Sequence, residues 1–448
     1  MSTFRLEYWR RRLESKTFLI CAFILMRLAL EAGYIWLVSP IFSHAGFAWA
    51  PDLLKYIESW ILFGLLLALA PVRIQKPSDY MVTILIAGLL LPVLSFYALA
   101  GQTREHLYII LLGYGMILLF RRGQALDLPL VKNGMQFALG ISIVMVMIVS
   151  VWMVVSGGIR YFNLDLTQVY EFRHESEELT GRFGFQYMNV WAWKVFGPLL
   201  MVIGLWKRWW WLVAATIALH VLWFGISARK AVLFYPAVIL VVWLWVRRIP
   251  ATGLVPLAIS IVVLAALGVY LIFDQLLWGS LFIRRVFYVI ANNSFAYYEF
   301  FSQNPKVWWS NSVLSRFVEY PYDAPTALVI GQWQGTMAWV NNSFISTGFM
   351  HAGVFGVMLY GVLVGLLFRL IDSFSHKGVP VWMSVAVMIV PMRSLLISAD
   401  LPTALLTHGI GVALIMLMIL RSRKFKREMS RKPKQVQVRP RIRFVISK

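Results

Sequence analysis

Residues 252–288 read TGLVPLAISIVVLAALGVYLIF-DQLLWGS-LFIRRVFY. The first 22 carry no charge. A helix needs about 20 apolar residues to cross a membrane, so 252–273 reads as a transmembrane helix. A stretch of different character follows, from Asp274 to Val340, the longest non-hydrophobic segment before the C-terminal tail. It opens Leu281-Phe282-Ile283-Arg284-Arg285-Val286-Phe287-Tyr288 and continues through Asn292, Asn293, Glu299, Trp308, Trp309, Arg316, Trp333 and Trp339. An arginine pair among aromatics beside a membrane has two readings. Its planar forks can grip the phosphate oxygens of a lipid headgroup, or the side chains snorkel from an interfacial helix.

The rest of the chain repeats the apolar theme. Of its 448 residues, 60% are hydrophobic and 14% charged, the composition of an integral membrane protein. Twelve runs qualify as spans: 18–38, 56–72, 80–100, 105–120, 134–156, 191–206, 209–227, 231–246, 252–273, 344–368, 379–398 and 403–420. The expected fold is an all-α polytopic membrane protein of about 12 transmembrane helices, residues 1–420. Residues 421–448 form a basic tail with twelve Lys/Arg and one acid, Glu428.

An even count puts both termini on one side. Arg10-Arg11-Arg12, Arg73/Lys76, Arg121-Arg122, Lys207-Arg208, Arg247-Arg248, Arg369/Lys377 and the tail all fall on the same face, which the positive-inside rule assigns to the cytoplasm. The net charge of +22 is therefore topogenic and contacts anionic lipid, not nucleic acid. The single cysteine, Cys21, excludes an intrachain disulfide and a cysteine metal cluster.

The opposite face carries two long loops, about 157–190 and 274–343, of the length that usually carries function. Positive charges are unexpected there. They are Lys55, Arg104, Arg160, Arg173, Arg182, Lys194, Arg229, Lys230, Arg284, Arg285, Lys306, Arg316 and Arg393. Arg173 and Glu177 are spaced to pair on a helix. Within the spans, Arg27 and Glu31 lie one turn apart and are expected to neutralise each other. His220 and His408 read as hydrogen-bonded bundle residues. Asp400, in Ser398-Ala399-Asp400-Leu401-Pro402-Thr403, is placed to cap a following helix. There is no Walker lysine loop, no His-Glu-x-x-His and no Gly-x-Ser-x-Gly. Asn163-Leu164-Asp165 matches Asp-x-Asp only in part, which argues against a metal- and nucleotide-sugar-dependent transferase.

In layout the chain resembles Wzy-type O-antigen polymerases, which join oligosaccharide repeat units in Gram-negative bacteria. Arg173, ten residues, then Gly184 is similar to that family's Arg-x10-Gly pattern. Arg284-Arg285 opens the second loop, and Asn341-Asn342-Ser343-Phe344 with His351-Ala352-Gly353-Val354-Phe355-Gly356 closes it. Asp400-Leu401-Pro402-Thr403 resembles the acid-x-Pro-Thr turn at the last outer bend. One spacing departs from the pattern: no glycine follows Arg285 until Gly331.

The resemblance implies a GT-C-like, inverting, metal-independent glycosyltransferase of the bacterial inner membrane, with no cofactor. It would move a growing glycan from undecaprenyl diphosphate to a lipid-linked repeat unit on the periplasmic face. A chain-length co-polymerase is the implied partner. A diphosphate leaving group requires cations, a base and sugar platforms. Arg173, Arg182, Arg229, Lys230, Arg284, Arg285, Asn341 and Asn342 are the substrate-binding candidates. Asp400, Glu299 and His351, in that order, are the candidate bases. An O-antigen ligase shares the donor, and a lipid-linked oligosaccharide flippase shares the span count; both stand as alternatives.

Overall fold

The computed structural model describes residues 2–165, 184–376 and 378–422, with side chains from residue 7 onward. Arg173, Arg182 and the tail beyond 422 lie outside the described residues. Among those residues the chain is helical and holds no strand, only an isolated bridge between Arg73 and Ala251. Eight helices are long and apolar enough to cross a membrane, as a polytopic membrane protein requires. They are α2 Lys16–Ala45, α4 Pro77–Leu99, α6 Gly134–Val155, α7 Phe185–Lys207, α8 Trp210–Ser227, α9 Lys230–Arg248, α10 Leu254–Phe273 and α13 Phe344–Ser375. Between them lie α3 Leu53–Leu69 and α5 Arg104–Arg121. A short α1, Ser2–Leu13, precedes the first, and α14 Val381–Ile397 follows the last. The run expected at 403–420 is interrupted. It forms α15 Leu401–Leu406 and α16 Ile410–Leu420, separated by Gly409 at φ +93°.

Position in the bundle follows from which faces are apolar. The α4 helix is buried on nearly every side, and α14 almost as completely. By contrast α6, α9 and α10 expose broad aliphatic faces, as helices in contact with lipid would. Close approach is bought with small residues. A Cβ on Gly361 would stand 2.6 Å from Gly113 O, and one on Gly365 2.9 Å from Ile117 O, so α13 and α5 pack backbone to backbone.

The basic loops do gather at one end. Arg73 pairs with Glu14, Lys76 with Asp372 and Arg121 with Asp79. At the same end Arg369 donates to Gln124 O, and Arg421 to Leu128 O and His376 O. Inside the bundle Arg27 is neutralised as expected. Its guanidinium binds Glu31 at 2.7 Å and Ser59, and lies 4.1 Å from the Trp60 ring centroid. His220 is buried and bonds Thr216 O and Trp193 O.

The segment 274–343, between the α10 and α13 helices, is itself largely structured. Residues 276–303 form a helix, α11, whose middle, Ser280–Tyr288, is wound as π-helix. Thr326–Trp333 adds the short α12. One face of α11 is fully packed: Ile283 fills the space over Gly33, and Tyr288 donates to Leu30 O at 2.7 Å. The π turn advances the register, so that Ile283, Phe287, Tyr288 and Ala291 all turn inward. Glu299 is left on the exposed face.

Candidate functional site: a broken helix and a cationic bend

The α13 helix is discontinuous beside His351. Ala352 (φ −146°, ψ 31°) and Gly353 (φ +59°, ψ −141°) leave helical backbone. Only glycine takes the second conformation without strain. Two carbonyls at the break find partners elsewhere: Met350 O accepts the Val307 N–H and His351 O the Trp308 N–H, each at 3.1 Å. Trp308 and Trp309 reach these positions with φ +49° and +57°. Residues 307–309 are thus sewn onto the gap in the helix.

The next donor in that series is the Trp309 N–H, which meets His351 Nδ1 at 3.0 Å. A backbone N–H can only donate, so Nδ1 is unprotonated and the ring proton sits on Nε2. Nε2 lies 2.8 Å from Asp400 Oδ2 and donates to it. The Trp309 ring stacks on the imidazole at 4.9 Å, and its Nε1–H donates to the Tyr360 hydroxyl at 2.7 Å. Tyr360 in turn donates to Asp400 Oδ1 at 2.9 Å, which also takes the Leu401 N–H at 2.9 Å.

The first and third of the base candidates, Asp400 and His351, are therefore brought together, but as a positioning unit. A carboxylate has about four acceptor sites, and His351, Tyr360 and Leu401 supply donors to three of them. Burial pushes the Asp400 carboxyl up, yet the hydrogen bonds from His351 and Tyr360 outweigh it and hold it below the ordinary aspartate range. His351 is fully buried with both ring nitrogens engaged. Asp400 caps α15, as its sequence context suggests. Glu299, the second candidate, makes no bond to either.

A few residues away lies a group of cations. Lys194, from α7, donates to Ser394 Oγ at 2.9 Å and to His408 Nδ1 at 3.3 Å. Arg393 and Arg229 are within electrostatic reach of it. The Arg229 guanidinium stands 5.4 Å from the Trp193 ring centroid. Among the described residues no carboxylate acts on Lys194 or His408. Charges from two helices, α7 and α14, and from the turn before α9 converge here, an arrangement suited to an anion. The bend between α14 and α16 connects the two arrangements. Asp400 pins its middle to α13, and Lys194 holds both Ser394 on one arm and His408 on the other.

The other candidates are dispersed. Lys230 is exposed at the start of α9. Arg284 lies on α11 against α2: its guanidinium is 3.9 Å from the Phe42 ring centroid and bonds Ser280 Oγ. Arg285 next to it is exposed. Asn341 is exposed, its carbonyl accepting from Asn293 Nδ2. Asn342 is buried, and its Oδ1 accepts the Ser343 N–H at 2.7 Å. Lys194 and Arg393 are unexpected outer cations in the sequence, but their convergence is visible only in the fold. No protein-family model, no curated protein and no solved structure matches this chain.

Proposed function

We propose that the chain is a membrane-embedded glycosyltransferase that polymerises lipid-linked oligosaccharide repeat units, as the Wzy-type polymerases it resembles do. The observation that carries the proposal is the convergence of Lys194, Arg229 and Arg393 on one bend at the end opposite the basic loops. A leaving diphosphate develops charge as its bond to the sugar breaks, and preorganised cations stabilise that charge. The acceptor hydroxyl oxygen forms the new bond to the anomeric carbon. The C–O bond to diphosphate breaks, and the lipid diphosphate departs with the electron pair while the hydroxyl proton passes to solvent water. His351 and Asp400 position the bend and touch no reacting atom. Arg284 and Arg285 offer a second phosphate grip for the other lipid.

On this proposal the basic end is cytoplasmic and the bend is periplasmic, in a bacterial inner membrane. The α3, α5 and α14 helices and the broken α15–α16 unit complete about twelve crossings with the eight long helices.

The test is twofold. Purified protein given undecaprenyl-diphosphate-linked repeat units should yield polymer, with EDTA present. A chromosomal deletion should leave lipopolysaccharide bearing a single repeat unit. Core with no repeat unit would instead indicate a flippase, and polymer stranded on the carrier lipid a ligase.

A further inference from the structure

The broken α13 helix has a second side. Irregular backbone within a membrane protein persists where protein buries it or where it lines a cavity. Residues 307–309 cover one side of the break. The other side, at Gly353, opens on a groove of about 590 Å³ walled by Glu105, Tyr298, Ser302, Lys306 and Phe349. The functional reading above makes no use of this groove.

We infer that this groove is a saccharide subsite. The Tyr298 ring is held rigid, stacked on His106 at 4.9 Å and beside Phe349 at 5.0 Å. Its hydroxyl donates to Glu105 Oε2 at 2.5 Å, leaving Oε1 as an acceptor. Ser302 donates its own proton to Tyr298 O at 2.6 Å, so its hydroxyl oxygen faces the groove as an acceptor. Lys306 bonds Phe301 O and lies 4.6 Å from the Phe349 ring centroid, a donor fixed over an aromatic. Acceptors, one cationic donor and a rigid aromatic wall along an open groove suit a ligand with hydroxyls on its rim and C–H groups on its face. A pyranose is such a ligand. Phosphate is repelled by Glu105, and an acyl chain strands the charges. Gly353, at φ +59° and bare of a side chain, keeps the groove floor open; Lys306 Cε stands 3.6 Å from where a Cβ would be.

The inference rests on the glycan-transfer reading, and its test is independent of turnover. Purified protein in nanodiscs is mixed with methyl glycosides of glucose, galactose, mannose, rhamnose and N-acetylglucosamine, and saturation-transfer NMR is recorded. At least one glycoside should receive saturation from the protein. Ser302→Trp, which fills the groove from an exposed position, should abolish that signal, and Glu105→Gln should weaken it. No transfer to any of the five, or equal transfer in Ser302→Trp, overturns the subsite. Glycoside binding lost in Ser302→Trp, from a protein that makes no polymer, would keep the subsite and sink the polymerase. Polymer from a protein that binds no glycoside would do the reverse.

Discussion

The Trp309 backbone N–H donates to His351 Nδ1 at 3.0 Å, which leaves the ring proton on Nε2, 2.8 Å from Asp400 Oδ2. One main-chain donor thereby decides the tautomer of a buried histidine and the direction of its bond to the carboxylate.

Asp400→Asn should destabilise the protein. An amide nitrogen would face either the His351 Nε2–H or the Tyr360 hydroxyl, donor against donor, at a cost of about 1–3 kcal/mol for the orphaned group. Thermal melts of the purified variant check this; wild-type melting with turnover alone abolished would restore Asp400 as the base. The sign with pH follows from its depressed value. Its contribution is complete above the unfolded aspartate value of about 3.9. It is lost only as pH falls through the lower folded value. Melts across the neutral range should therefore show no pH dependence from this group.

Lys194→Gln and Arg393→Gln should each cut polymerisation by about 10²–10³, the usual loss for one preorganised charge donor in a transition state. Immunoblots of membrane fractions should show normal protein. A complete lipopolysaccharide ladder from the double variant would remove the cationic bend from the mechanism.

At the arginine pair, lysine substitution now separates two roles. Arg284 stacks on Phe42, so Arg284→Lys loses a planar contact whatever it binds. Arg285 is exposed, and Arg285→Lys is the cleaner probe of a bidentate phosphate grip. Collapse of the ladder to the single-repeat band at constant protein level is expected. An unchanged ladder would leave α11 as an interfacial anchor.

Orientation can be read with an impermeant maleimide in intact spheroplasts. In a Cys21→Ser background, Ser315→Cys should label and Gln124→Cys should not. Both positions are exposed in the fold, so silence reports sidedness and not burial. The opposite pattern would place the cationic bend in the cytoplasm and refute the proposed chemistry.

What was legible in the sequence was local. A run of 22 uncharged residues declares a helix at 252–273, and basic loops declare a common end. Arg27 and Glu31 declare their own pairing, because residues four apart on a helix must meet. Asp400 before Leu401-Pro402 declares a cap for the same reason: its partner N–H is its neighbour. Each of these is settled within one turn of chain or by the membrane itself.

Tertiary structure decided what depends on distant partners. The α11 helix mixes asparagine, tyrosine and arginine with apolar residues, and its inward face exists only because α2 supplies Gly33 and Leu30 opposite it. His351-Ala352-Gly353 reads as the opening of a glycine-rich helix. It becomes a break because residues 307–309, more than forty positions earlier, take over its carbonyls. Lys194, Arg229, Arg393 and His408 span more than 200 positions. Periodicity and charge count are written along the chain. Which cations share a site is written in the packing of helices against one another, and no local pattern encodes that.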